Sequence, residues 1–409
     1  MQPIRRYKWQ VVAMLWCVVV LNYADRQALS GTLPLIRGEL KLSMHEQGML
    51  GAAFAWVYGL CSPFAGRLVD RMRRTTGVIA GLHVWSAICA ATAFVPGFRS
   101  LVALRAAEGL GETAYFPASV SLISDYHEPA TRSRALGLHQ TGVYVGIVGG
   151  TTAAASIGIR FGWRAAFLTF GVLGIALAVV LRFVLRDRED VPPPARKAGG
   201  TPALHAILKP APLCLLLAFI CANAVASVLF VWLPTFVYDR FHQTLAIAGF
   251  SSTIFAQAGS FAGALAGGWL ADAAITRARN GRIKVQAAGL WLGVPFVLVS
   301  GLSSSLAVTL VAFLGWGFAK GLYEANIFAS MFDVTAPEIR GTVVGIMNMA
   351  GWLFGAGTAP ILVGYVAERS SLGAAIASTA MIYVAGGVLL IAAARLTIEC
   401  APCDAPPPA

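Results

Sequence analysis

Seven charged side chains stand inside stretches that otherwise carry no charge: Asp25 and Arg26, Arg105, Glu108 and Glu112, Lys320 and Glu324. Arg105, Glu108 and Glu112 follow one another by three and four residues, so on a helix they form a single stripe. Lys320 and Glu324 are one turn apart. Arginine stays protonated and offers a planar fork suited to a carboxylate or phosphate, which assigns Arg26 and Arg105 to an anionic partner. A desolvated carboxylate beside such a cation can alternate between neutral and charged forms. Asp25 and Glu112 fit that proton-exchanging role, while Glu108 reads as a pairing residue at the edge of the stripe.

The elements that position these groups are membrane helices. The chain has 409 residues, 57% of them hydrophobic and 12% charged, with mean hydropathy +0.70. A spanning helix needs about 20 apolar residues. Trp9–Ala24, Gly77–Gly97 and Leu372–Ala394 carry no Asp, Glu, Lys or Arg, nor does Val285–Ala319, which Ser300–Ser305 divides. A soluble core cannot take up so many such runs. Twelve spans fit, near 9–33, 46–66, 77–96, 101–124, 135–158, 163–186, 212–236, 245–271, 285–303, 306–331, 342–367 and 373–395.

The net charge of +12 follows a membrane rule, and nucleic acid is not expected as a partner. With the amino terminus inside, 21 Lys and Arg fall in cytoplasmic segments, against seven outside: Arg37, Lys41, Arg99, Arg160, Arg164, Arg240 and Arg369. Positive charge stays on the cytoplasmic side. Both termini are therefore expected in the cytoplasm of a multi-pass inner-membrane protein, with no cleavable signal.

Enzymatic equipment is missing from the sequence. It has no Walker loop and no HExxH, and its six histidines are scattered, with His83 and His139 inside spans as hydrogen-bonded core residues. Cys17, Cys61, Cys89, Cys214 and Cys221 lie in spans as small apolar residues, and Cys400 and Cys403 form a lone CxxC in a Pro-rich tail. Neither a metal nor a cofactor is expected, and the chain is not read as an enzyme.

Internal repetition organises the chain. Asp125, Pro129, Arg132 and Gly137 recur with identical spacing as Asp333, Pro337, Arg340 and Gly345, and Gly66 and Asp70 recur as Gly268 and Asp272. A parallel duplication of six helices follows. The expected division is a first six-helix bundle over 1–186, a charged, Pro- and Gly-rich cytoplasmic linker over 187–211, a second bundle over 212–396 and a tail over 397–409.

The segment Gly66-Arg-Leu-Val-Asp70-Arg71-Met-Arg73-Arg74 resembles the signature loop between helices 2 and 3 of the major facilitator superfamily, departing at Arg73 where a glycine is usual. Asn22-Tyr23-Ala24-Asp25-Arg26, and Gly109-Leu-Gly111-Glu112 with Pro117, resemble the anion:cation symporters that carry sugar acids. The same residues resemble the Spinster-like lysolipid carriers, and Gly162-Trp163-Arg164 is compatible with both. The resemblance implies an all-α membrane protein of twelve transmembrane helices in two pseudo-symmetric six-helix bundles. Helices 1, 4, 7 and 10 of that fold line a central cavity, to which Tyr23, Tyr115, Lys320 and Glu324 would contribute substrate contacts beside Arg26 and Arg105.

The function this implies is secondary active transport by alternating access, with protons as partner and a small organic anion such as a sugar acid as substrate. The alternative is transport of a lysophospholipid or another amphiphilic lipid. Asp70, Arg71, Arg74, Asp125, Arg132, Asp272, Asp333 and Arg340, at cytoplasmic helix ends, would form a gate, helped by helix-end partial charges. One chain holds both halves of the pathway, so a monomer in the lipid bilayer suffices. In spans 5 and 11, Gly137, Gly142, Gly146, Gly149 and Gly150, answered by Gly345, Gly351, Gly355 and Gly357, suit either close, sliding helix contact or generic packing. Tyr23, Tyr115, Phe116, Trp232 and Tyr323 are either cavity lining or packing.

Overall fold

A computed structural model describes residues 2–69, 72–188, 201–278, 280–336 and 339–399. Helices account for all regular structure among the described residues, as an apolar chain in lipid requires, because each helix satisfies its own backbone groups. The first half comprises α1 (Gln2–Leu40), α2 (Met44–Val69), α3 (Arg74–Thr92), α4 (Phe98–Glu112), α5 (Tyr115–Tyr126), α6 (Pro129–Phe161) and α7 (Trp163–Val184). A short α8 (Thr201–Ile207) precedes α9 (Pro210–Phe241), α10 (Leu245–Ile275) and α11 (Gly281–Leu302). Then come α12 (Leu306–Glu324), α13 (Ile327–Asp333), α14 (Arg340–Ala350), a π-helical stretch (Gly351–Ala356), α15 (Ala359–Arg369), α16 (Leu372–Ser378) and α17 (Ala380–Glu399).

Ten helical stretches among the described residues are long and apolar enough to cross a bilayer. The two expected spans outside that set, 9–33 and 101–124, are those that carry Asp25, Arg26, Arg105, Glu108 and Glu112. Both are helical, the second in two pieces.

Four spans read as continuous are broken instead. Span 101–124 divides at Thr113 and Ala114, where Pro117 has no N–H for the Thr113 carbonyl one turn earlier. Span 306–331 divides at Ala325 and Asn326, and Asn326 Nδ2 donates to the carbonyls of Leu322 at 3.1 Å and Gly267 at 2.9 Å. In span 342–367 the helix widens to π geometry, with Gly357 N–H donating to the Trp352 carbonyl at 2.8 Å, before Pro360 opens α15. Span 373–395 breaks at Thr379, whose hydroxyl donates to the Ile376 carbonyl at 2.6 Å.

The helices gather into two compact units. Counting the described residues alone, one takes those within 1–197, 227–254 and 352–372, and the other those within 198–226, 255–351 and 373–409. Parts of α9, α10 and the π-helix with α15 thus pack with the first-half helices. Trp232 Nε1 donates to the Pro360 carbonyl at 3.3 Å, and a Cβ on Gly48 would lie 2.5 Å from the same oxygen.

Within the first unit, α1 lies against α6 over much of its length. A Cβ on Gly150 would sit 2.2 Å from Ala24 Cα, and one on Gly146 would sit 2.6 Å from the Val20 carbonyl oxygen. Glycine is what lets the two backbones approach, and this seats Asp25 and Arg26 deep in the bundle. Gly109 does the same for α4 on α2, since a Cβ there would be 2.5 Å from the Phe54 carbonyl oxygen. The turn from α6 to α7 is made by Gly162 at φ 83°, a left-handed backbone that glycine adopts freely.

Candidate functional site

The charged stripe of α4 and the Asp25-Arg26 pair of α1 meet inside the first unit. Arg26 donates Nε to Glu112 Oε2 at 3.1 Å, and its Nη2 pairs with the same oxygen. The Arg26 side chain is 14% exposed and that of Glu112 is 1% exposed. Arg105 pairs through Nη1 with Glu108 Oε2, one turn along its own helix, and both are buried.

Aromatic rings enclose the Arg26 guanidinium. Its central carbon lies 4.8 Å from the Tyr23 ring centre, 4.6 Å from Phe54, 5.4 Å from Tyr58 and 5.6 Å from Trp352. Phe54 also faces Arg105 at 5.2 Å. A desolvated cation over a ring gains about 2 kcal/mol, so the cage helps to hold a cation in the bundle while leaving its hydrogen-bonding edge for oxygen ligands. Phe54 and Tyr58, one turn apart on α2, and Trp352, on the π-helix, escape the sequence reading. The aromatic pair on span 2 at helical spacing is the signal that could have found two of them.

Asp25 is buried, and among the described residues its Oδ1 has no hydrogen-bond partner; Glu108 Oε1 and Glu112 Oε1 are likewise buried and unpaired. One carboxylate oxygen each of Asp25 and Glu108, and Cys89 Sγ, lie within 4.8 Å of one another. The three could offer ligands to a metal ion, but Arg105 already supplies a positive charge to Glu108.

Other expected site residues are placed differently. Tyr115 is in the packed core, its hydroxyl donating to the Leu15 carbonyl at 3.1 Å and 3.1 Å from His139 Nε2, with its ring edge-on to Trp85. Tyr323 and Trp232 are also buried, whereas Phe116 is exposed. Lys320 and Glu324 belong to the second unit, where Lys320 Nζ donates to Glu324 Oε2 at 2.5 Å.

Of the expected gate residues, Asp70, Arg71 and the side chain of Arg132 lie outside the described residues, as do Cys400 and Cys403. Arg74 Nε is 3.8 Å from Asp125 Oδ2, and Arg282 Nη1 is 2.5 Å from Asp333 Oδ2. These are corresponding pairs in the two repeats, each joining the start of one helix (α3 or α11) to the end of another (α5 or α13). Arg282 was not anticipated. Arg340 Nη2 donates to the Phe332 carbonyl at 2.8 Å, and Asp272 is exposed.

At the end of the first unit expected to face outside, further ties appear that the sequence reading did not anticipate. Arg37 is paired with Asp239, and His45 Nδ1 and backbone N–H both lie 3.0 Å from Glu368 Oε1. Glu39 accepts from Arg164 and, at 2.7 Å, from Trp163 Nε1. The hydrogen bond from Arg164 chiefly holds the Glu39 carboxyl below its ordinary range.

The family profile of the Major Facilitator Superfamily matches residues 15–356. The chain is 26% identical to the D-galactonate transporter of Escherichia coli O6:H1 (strain CFT073), covering 94% of each. It is 27% identical to the hexuronate transporter of Bacillus subtilis (strain 168), covering 89% of each. Protein spinster of Drosophila melanogaster is 24% identical over 90% of this chain and 63% of its own length. A solved bacterial homologue of the human lysosomal transporter Spinster, inward-facing and unoccupied, superposes with a TM-score of 0.83 at 20% identity over 98% of this chain and 99% of that one. With its helical architecture and internal repeat, this chain belongs to the Major Facilitator Superfamily and is a secondary transporter, not an enzyme.

Proposed function

We propose that the chain is a proton-coupled symporter of small organic anions of the sugar-acid class. The observation that carries this reading is Arg26, forked onto Glu112 beneath four aromatic rings, with Arg105 similarly held by Glu108 on the same α4 stripe. A carboxylate substrate takes the guanidinium edge, the sugar hydroxyls replace water against Tyr23 and Tyr58, and the displaced glutamate accepts a proton. Asp25 and Glu112 are the coupling carboxylates. Relatives named for galactonate and hexuronate transport support the same substrate class.

The moving bodies in this reading are the bundles of residues 1–186 and 212–396, joined by 187–211, in the inner membrane with both termini cytoplasmic. A monomer suffices. Lys320 and Glu324 contribute from the second bundle, and the Arg74–Asp125 and Arg282–Asp333 pairs, with Asp70, Arg71, Arg132, Asp272 and Arg340, form the cytoplasmic gate.

A thermal-shift screen of the purified protein tests the substrate class, using D-galactonate, glucuronate, other small carboxylates and lysophosphatidylcholine. A ligand at 100 times its Kd stabilises by about 2.7 kcal/mol. The sugar acids should raise the Tm of the wild type, and Arg105→Lys, which keeps the charge but loses the fork, should weaken binding at least about tenfold. Stabilisation by the lysophospholipid alone would replace this reading with lipid transport.

A further inference from the structure

The Asp25, Glu108 and Cys89 cluster is more than a by-product of packing, because its charges do not balance. Asp25, Glu108 and Glu112 supply three carboxylates, while the described cations among them are two, Arg26 and Arg105. Each arginine is taken by a glutamate: Arg26 by Glu112 and Arg105 by Glu108. Asp25 is the surplus acid, and its Oδ1 has no partner among the described residues. An oxygen of Asp25 lies within 4.8 Å of one of Glu108, both side chains are buried, and Glu108 Oε1 is also unpaired.

Among the described residues, neighbouring elements provide no further cation for the pair. On α3 the nearby group is Cys89, whose thiol donates to the Phe167 carbonyl of α7 at 3.4 Å. On α2 it is Tyr58, which faces Arg26. On α5 and α6, Tyr115 and His139 are bonded to each other. On α7, Arg164 is bound to Glu39 at the end of the bundle. Two carboxylates sharing a water-poor site cannot both keep their charge.

We infer that Asp25 and Glu108 form a carboxylate pair that holds one resident proton between them in the substrate-free protein. Glu108 is thereby a proton-holding residue and not only the partner of Arg105. The proton comes from water and sits as an O–H on one of the two carboxyls. This makes the cluster of three acids and two arginines neutral before substrate arrives. A glutamate later dislodged from its arginine then has a neutral acid beside it instead of a second negative charge.

The inference rests on the proposed coupling role of Asp25, but its test needs no transport. Infrared spectroscopy of purified, substrate-free protein near neutral pH detects the carbonyl band of a protonated carboxylic acid, which exposed carboxyls with pKa about 4 do not contribute. The wild type should show such a band, and it should vanish in both Asp25→Asn and Glu108→Gln, since either change removes the surplus charge. Should one variant not fold, the other carries the test alone. The inference is overturned if the wild type shows no band, or if the band persists unchanged in Glu108→Gln or Asp25→Asn. Because no substrate is present, a failed sugar-acid assay and a failed proton assignment are separate results.

Discussion

Arg37 grips Asp239 through two parallel hydrogen bonds, Nη1 to Oδ2 at 2.6 Å and Nη2 to Oδ1 at 2.8 Å. The pair ties α1 to α9 within the first unit. Bidentate geometry makes such a contact stronger than an ordinary ion pair, and partial exposure limits it to about 1 kcal/mol. Arg37→Ala should therefore shift the balance between closed and open forms of this end about fivefold. Spin-label distances between the adjoining ends of α1 and α9 would lengthen in the single variant and return in the charge-reversed double variant Arg37→Asp with Asp239→Arg. Unchanged distances in Arg37→Ala would remove the tie from the transport cycle.

The α1–α6 contact offers an internally controlled test. Gly150→Ala places a methyl group against the Ala24 backbone, whereas around Gly149 nothing lies within 4 Å of an added Cβ. Overpacking of this kind costs about 1–3 kcal/mol. Gly150→Ala should lower the Tm by several degrees and impair the Arg26 site, and Gly149→Ala should do neither. Equal behaviour of the two would mean that the close approach does not position the site.

The Glu39 carboxyl, held below its ordinary range chiefly by Arg164, stabilises the folded state only while it is ionised. Its contribution is complete above the unfolded value of about 4.3 and is lost as pH falls through the lower folded value. Glu39→Gln should therefore lower Tm at neutral pH and converge with the wild type in acid. A constant Tm difference across that acid range would show that the ionised carboxylate is not what matters.

The sequence already displays the repeat and the charged spans, because identities at fixed spacing and charges in apolar runs are local facts. Asp125 and Asp333 can be matched by eye. Arg282 cannot be assigned to Asp333 without the fold, although it begins α11 much as Arg74 begins α3. The α4 stripe already puts Glu108 one turn from Arg105 and leaves Glu112 two turns away; that Arg26 of α1 takes Glu112 is decided by packing. Trp352 gains its meaning only because a π-helical stretch brings it to α1 and α2 from far along the chain. Tyr115, plausible as cavity lining from its place after Glu112, lies in the core with its hydroxyl on the Leu15 carbonyl, a contact with α1 that spacing along its own helix cannot show.

Proton-driven accumulation of a sugar acid is the most direct test of the transport mechanism. Purified protein in liposomes, loaded at neutral pH and diluted into acidic buffer, would be followed with labelled D-galactonate or glucuronate. Wild type should concentrate the anion and lose that ability when a protonophore collapses the gradient. Glu112→Gln should still exchange labelled for unlabelled substrate while failing to accumulate it, because the carboxylate that competes for Arg26 can no longer exchange its proton. Full, pH-driven accumulation by folded Glu112→Gln, or wild-type uptake indifferent to the proton gradient, would contradict the coupling of Arg26 and Glu112.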